Sequence, residues 1–218
     1  MWVKICGVTT EDDALLAAAV GASAVGFVFA PSPRQVAAGR VAEIVRRLPA
    51  EVVPVGVFRD SLPERVVEVA LQAGLRAVQL HGNESPEACA LVAEKVPMVI
   101  KAFASGDPRI SDAAGYPVDA VLVDAPAPGS GEVFDWRLAE SVPGVRRLVL
   151  AGGLTPENVA EAIAKVRPWG VDVSSGVESS PGHKDPRKVL AFVQAARAAD
   201  PGGYEPAGDG PYDWQVEP

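Results

Sequence analysis

Cysteine and histidine are almost missing from this chain, with two of each in 218 residues. Cys6 and Cys89 are too few for a disulfide framework. With only His81 and His183 beside them, they match no metal-ligand spacing, so no metal is expected. Sparse thiols of this kind fit a reducing compartment, and a cytoplasmic location is expected. No apolar run is long enough to span a bilayer, which speaks against a membrane partner. Residues 2–7 read as a strand and not as a leader peptide. An excess of basic residues is missing too. The formal net charge is −8, which excludes the basic surface that nucleic acid requires.

What remains is apolar and regularly interrupted. The chain is 48% hydrophobic, enough to bury one core. Strand-like runs occupy Trp2–Cys6, Ala24–Phe29, Val53–Phe58, Ala77–His81, Val99–Phe103, Ala120–Asp124, Arg147–Ala151 and Gly170–Ser174. Several are rich in valine without period-two alternation, as expected of parallel strands covered on both faces. Helix-start signals fall between them. Thr10 to Asp13 and Ser61 with Glu64 resemble capping boxes. Ser85-Pro86, Thr155-Pro156 and Asp185-Pro186 each offer a cap followed by proline at the first helical position. Val159, Ile163 and Val166 form an apolar stripe, as do Val189, Phe192 and Val193. The fifth and sixth helices have little room or periodicity and are expected to be short or irregular. The pattern is that of a single-domain (β/α)8 TIM barrel over residues 1–199. Residues 200–218 hold five acids, four prolines, four glycines and no lysine or arginine, and read as an acidic tail that is flexible or loosely docked. Without it the net charge is −3. Tyr212 and Trp214 leave a chance that the tail docks on a surface.

In such a barrel the strand ends share one face, where the active site lies. Cys6 closes the first strand, and a thiol there is a candidate general base. A cysteine is more often a small buried hydrophobe, but its strand-end position favours chemistry. Asp124 ends the run Val121-Leu122-Val123, where an unpaired carboxylate is costly to bury. It reads as a general acid or base, with a hydrogen-bonded structural aspartate as the plain alternative. The Pro- and Gly-rich segment Ala125 to Gly131 is suited to closing over a ligand. Gly152-Gly153 and Ser174-Ser175-Gly176 follow the seventh and eighth strands, where barrels often bind phosphate through backbone amides. Either piece alone is an ordinary turn; together they point to a phosphorylated small molecule. Arg34, stiffened by Pro31 and Pro33, is suited to a carboxylate. His81 ends the fourth strand as a group lining the site. His183 reads as solvated, and Cys89 as helix packing.

These residues lie in stretches similar to phosphoribosylanthranilate isomerases. The stretches are Lys4-Ile5-Cys6-Gly7, Gly26-Phe27-Val28-Phe29 with Ser32-Pro33-Arg34, and Gln79-Leu80-His81-Gly82. Phe134-Asp135-Trp136, Leu150-Ala151-Gly152-Gly153-Leu154 with Asn158-Val159, and Asp172-Val173-Ser174-Ser175-Gly176-Val177-Glu178 follow, then Gly182 and Lys184-Asp185. The resemblance implies a cofactor-free Amadori rearrangement of N-(5-phosphoribosyl)anthranilate in tryptophan biosynthesis. It implies Asp124 as the acid that opens the furanose ring and Cys6 as the base at C2. Arg34 would hold the anthranilate carboxylate, with His81 at the same end. Gly152, Gly153, Ser174, Ser175 and Gly176 would receive the phosphate, with Asp172 nearby. Two features depart from the family pattern, Pro128-Gly129-Ser130-Gly131 after strand six and Glu132 where a basic residue is common. The alternatives are the phosphoribosyl isomerase of histidine synthesis, which Cys6 argues against, and a silent phosphosugar-binding barrel. The sequence leaves room for a homodimer without locating its surface.

Overall fold

The computed structural model describes residues 1–125 and 147–202. Eight parallel strands follow one another around a closed barrel: β1 Trp2–Ile5, β2 Ala24–Val28, β3 Val53–Phe58, β4 Ala77–Leu80, β5 Met98–Ala104, β6 Ala120–Asp124, β7 Leu148–Leu150 and β8 Gly170–Val173. β1 pairs with both β2 and β8, which closes the ring. Helices α1 Glu11–Ala19, α2 Ala38–Val45, α3 Pro63–Ala73, α4 Pro86–Ala93, α5 Val159–Val166 and α6 Pro186–Ala198 pack outside. The fifth connection is irregular, as expected: a 3-10 segment, Pro108–Gly115, replaces an α-helix. The sixth connection, the departures at Pro128 to Glu132, Phe134-Asp135-Trp136 and the tail residues Tyr212 and Trp214 lie outside the described residues.

Strand ends expected one residue later have a physical explanation. Cys6, Phe29, His81 and Ala151 each extend the ladder by a single amide bond, to Val173, Val57, Phe58 and Val123. Side chains alternate across the wall. Val3, Ile5, Val121, Val123, Val171 and Val173 pack against the helices. Trp2, Ala24, Ala77, Ile100, Leu122 and Val149 fill the interior. Both faces are therefore apolar, which is why these strands show so little alternation.

Three of the expected caps form. Thr10, Ser85 and Asp185 accept bonds from the amides of Asp13, Ala88, and Arg187 with Lys188. Two need correction. Leu62, not Ser61, precedes α3, and no side chain caps it. Thr155-Pro156 opens a turn, and regular helix begins only at Val159. There Asn158 takes the amide of Thr155 and donates to the Gly153 carbonyl, tying the β7 loop to α5. A short antiparallel hairpin, β9 Glu178–Ser180 and β10 His183–Lys184, follows β8 and was not expected from the sequence. Cys89 is buried in α4 and His183 is exposed, as expected.

A buried ion pair steadies the strand ends. Lys101 of β5 is fully buried and donates to the carbonyls of Leu80, Gly82 and Ala102 and to Glu84 at 2.9 Å. Glu84 in turn accepts from the amides of Asp60 and Gly82. The pair thus knots the loops after β3 and β4, and the second of these follows directly on His81. Burial opposes the ionised form of Glu84, but Lys101 and the hydrogen bonds outweigh it and hold the carboxyl below its usual range. Lys101→Met leaves this carboxylate buried without its cation, and an expected loss of about 3–5 kcal/mol follows. Because the folded value of Glu84 is depressed, its contribution is complete above the ordinary carboxylate range and is lost as pH falls through the folded value. Urea unfolding at neutral pH and near pH 4 checks this. The gap between the proteins is expected to narrow in acid, and a gap under about 1 kcal/mol at neutral pH sinks the idea.

Candidate active site

The groups at the carboxyl ends of β4, β6, β7 and β8 converge. Asp124, the last residue of β6, is buried and accepts the amide of Ala125 at 2.7 Å on Oδ1. Its other oxygen lies 3.4 Å from His81 Nε2. The Gln79 amide lies 2.7 Å from His81 Nδ1. With Gln79 donating, the ring proton sits on Nε2, which lies beside Asp124 without a hydrogen bond to it. His81 is thereby placed at the acid.

One pocket joins Asp124 to Gly152, Gly153, Asp172, Ser174, Ser175 and Gly176. The acid and the loops expected to bind phosphate are therefore parts of one cavity. Among the described residues, no protein group takes the amides of Gly153, Ser175 or Gly176. Those amides are available to an anion. Two glycines are sterically required here. A Cβ on Gly176 would overlap the Leu154 carbonyl oxygen. A Cβ on Gly152, at φ +82°, would overlap the Ala125 amide beside the acid. Asp172 stands apart from the donors. It lines the pocket, but its Oδ1 is held by Lys4 Nζ at 2.9 Å, and the loop amides, not this carboxylate, supply the N–H groups.

Cys6 is buried inside the end of β1, in line with Trp2 and Lys4. Burial pushes its thiol up; Lys4 pulls it down, and Asp172 pushes it up again. Arg34 and Cys6 are close enough to influence each other's ionisation. The Arg34 side chain passes over Gly7 with its methylene stem, where a Cβ would meet its Cδ and the Ser174 hydroxyl. Arg34 Nε and Nη2 donate to the two oxygens of Glu178, each at 2.7 Å. These bonds fix the guanidinium and leave Nη1 and one hydrogen of Nη2 for a second carboxylate. Glu178 also accepts from buried Lys184 at 3.0 Å. Burial works against the ionised form of Glu178, and the two cations prevail and hold it below its usual range. The cluster has two positive charges and one negative, so it suits an added anion.

Reasoning from the sequence assigned no role to Lys4, Glu178 or Lys184. A signal existed for Lys4, since period-two spacing puts it on the face of Trp2 and Cys6, inside a barrel. The other two carried no local signal.

The profile of the family described as N-(5'phosphoribosyl)anthranilate (PRA) isomerase matches residues 3–195. The chain belongs to that family. The isomerase of Desulforudis audaxviator is 51% identical over 204 residues, covering 90% of this chain and 98% of the relative. A PRA isomerase solved in complex with reduced 1-(o-carboxyphenylamino)-1-deoxyribulose 5-phosphate superposes with a TM-score of 0.81. It is 43% identical and covers 91% of this chain and 99% of its own. Monomers generated from the dimeric enzyme of Thermotoga maritima superpose at 0.82 with 42% identity, over the same shares. Family membership displaces the histidine-pathway alternative and bears out the resemblance seen in the sequence.

Proposed function

We propose that Asp124 and Cys6 divide the acid–base work of the family's reaction. That reaction converts N-(5'-phosphoribosyl)anthranilate to 1-(2-carboxyphenylamino)-1-deoxyribulose 5-phosphate. The observation that carries the part of Asp124 is one pocket shared by its carboxylate and the amide-bearing loops after β7 and β8; Cys6 lies outside that lining and enters through its place at the end of β1. A phosphate on those amides places the far end of a phosphosugar against the acid.

Asp124 donates its proton to the furanose oxygen as the C1–O bond breaks, giving a protonated Schiff base. Cys6 then takes the proton from C2, and the electron pair flows into the C1–N unit to give the enolamine. Tautomerisation yields the aminoketose. One proton enters the substrate and one leaves, so nothing is oxidised or reduced overall. Gly152, Gly153, Ser174, Ser175 and Gly176 hold the phosphate, with Asp172 beneath them. Arg34 holds the anthranilate carboxylate and His81 steadies Asp124.

A fluorescence assay with the substrate generated in situ tests the whole reading. Loss of substrate fluorescence with the purified protein supports it, and no turnover removes it. Arg34→Ala is expected to raise KM by about 10- to 100-fold, the worth of a hydrogen bond to a charged group. Unchanged KM and kcat would place Arg34 outside the site.

The reading extends to location and assembly. No helix among the described residues is long and apolar enough to cross a membrane, which is compatible with a cytoplasmic enzyme. A homodimer is supported by the Thermotoga maritima relative described as dimeric. Light scattering that gives the mass of one chain would remove that part.

A further inference from the structure

Lys4 is fully buried inside the barrel, whose interior cluster includes Val55, Ala77, Leu122 and Val149. Its register partner across the β1–β8 seam is Asp172, and the two form an ion pair at 2.9 Å. Packing does not call for these charges. A buried pair is costly to desolvate, and apolar side chains of similar volume often serve stability as well. Its location is informative. Cys6 follows two residues after Lys4 on the same inward face. Gly26 of β2 leaves the space that both need. A Cβ there would lie 2.9 Å from Cys6 Sγ and 3.1 Å from Lys4 Nζ. The thiol and the ammonium therefore meet over one glycine, and the carboxylate holds the ammonium from the other side.

We propose that Lys4 is a positioning residue that sets the ionisation of Cys6, its ammonium stabilising the thiolate while Asp172 anchors it. The proposal rests on the reading of Cys6 as the base. The charged groups facing Cys6 are Lys4 on β1, Asp172 on β8, Lys184 on β10 and Arg34 after β2; Gly26 contributes none. Burial dominates and raises the thiol, Lys4 opposes it most strongly, Asp172 raises it and Lys184 lowers it. Lys4 thus outweighs its own counter-ion at the sulfur. Lys184 and Arg34 are already committed to Glu178.

The test is the pH dependence of Cys6 alkylation by iodoacetamide in substrate-free protein, read by peptide mass spectrometry so that Cys89 is counted separately. In Lys4→Met the midpoint is expected to rise by about one pH unit or more, cutting the thiolate fraction at neutral pH about tenfold. The acid limb of kcat/KM is expected to move with it. Lys4→Arg keeps a charge and is expected to stay within about half a unit of wild type. Asp172→Asn is expected to lower the midpoint. An unmoved midpoint in folded Lys4→Met overturns the proposal. Should that variant not fold, an unmoved or raised midpoint in Asp172→Asn overturns it instead. A raised midpoint with unchanged kcat/KM upholds the coupling and removes Cys6 from the base role, so the two readings can fail separately.

Discussion

Cys6→Ser is expected to lower kcat by about 10³- to 10⁴-fold while substrate binding stays within a few-fold of wild type. Oxygen replaces sulfur in a buried position, so packing changes little. The change falls on basicity, because a hydroxyl ionises far above any working pH and cannot accept the C2 proton at a useful rate. The wild-type thiol is itself raised, chiefly by burial. A base with a raised value is mostly protonated at neutral pH, so its active form grows as pH increases. Wild-type kcat/KM is therefore expected to climb by up to about tenfold per pH unit on its acid limb, through the neutral range. Steady-state kinetics of both proteins decide the matter. Comparable turnover by Cys6→Ser would keep the function and remove the thiol as base. A profile flat from pH 6 to 8 would contradict the raised thiol.

Asp124→Asn is the counterpart. The amide oxygen can still accept the Ala125 N–H that the carboxylate accepts at 2.7 Å, so the end of β6 should hold its shape. What disappears is the acidic proton for the furanose oxygen. Loss of one general acid is worth about 10²- to 10⁴-fold, and kcat is expected to fall in that range with KM within about threefold. Near-normal kcat would exclude Asp124 as the acid. A large rise in KM with kcat preserved would recast it as a binding group. In the proposed reaction the two residues act at successive steps on one molecule, so the double variant is expected to fall well short of the product of the single losses.

Much of this architecture was legible because its signals are local. The caps made by Thr10, Ser85 and Asp185 join residues two to three positions apart. Strand limits came within a residue or so of the structure, since an apolar run and a hydrogen-bonded ladder end for the same reason. Cys6, Asp124 and the two loop motifs stood out because a reactive or turn-forming residue directly follows an apolar run. The misassigned cap at Ser61 shows where this fails. A suitable residue was present, but the chain entered α3 through Leu62 and Pro63 without using it. The β9–β10 hairpin escaped notice because strands of two or three residues have no period to detect.

By itself the sequence determined the barrel and its strand order, and it picked out the candidate acid–base pair and the ordinal strands whose loops are proposed to hold phosphate. These follow from periodicity, propensity and the rule that strand ends share a face. Only the tertiary structure decided which charges meet. Lys4 and Asp172 are 168 residues apart, and Arg34 and Glu178 are 144 apart, yet closure of β1 against β8 brings both pairs together. A charged residue's sequence neighbours do not report whether it will be buried or what will face it. That depends on barrel register and on where glycines such as Gly26 leave room, and both are settled only when the last strand closes on the first.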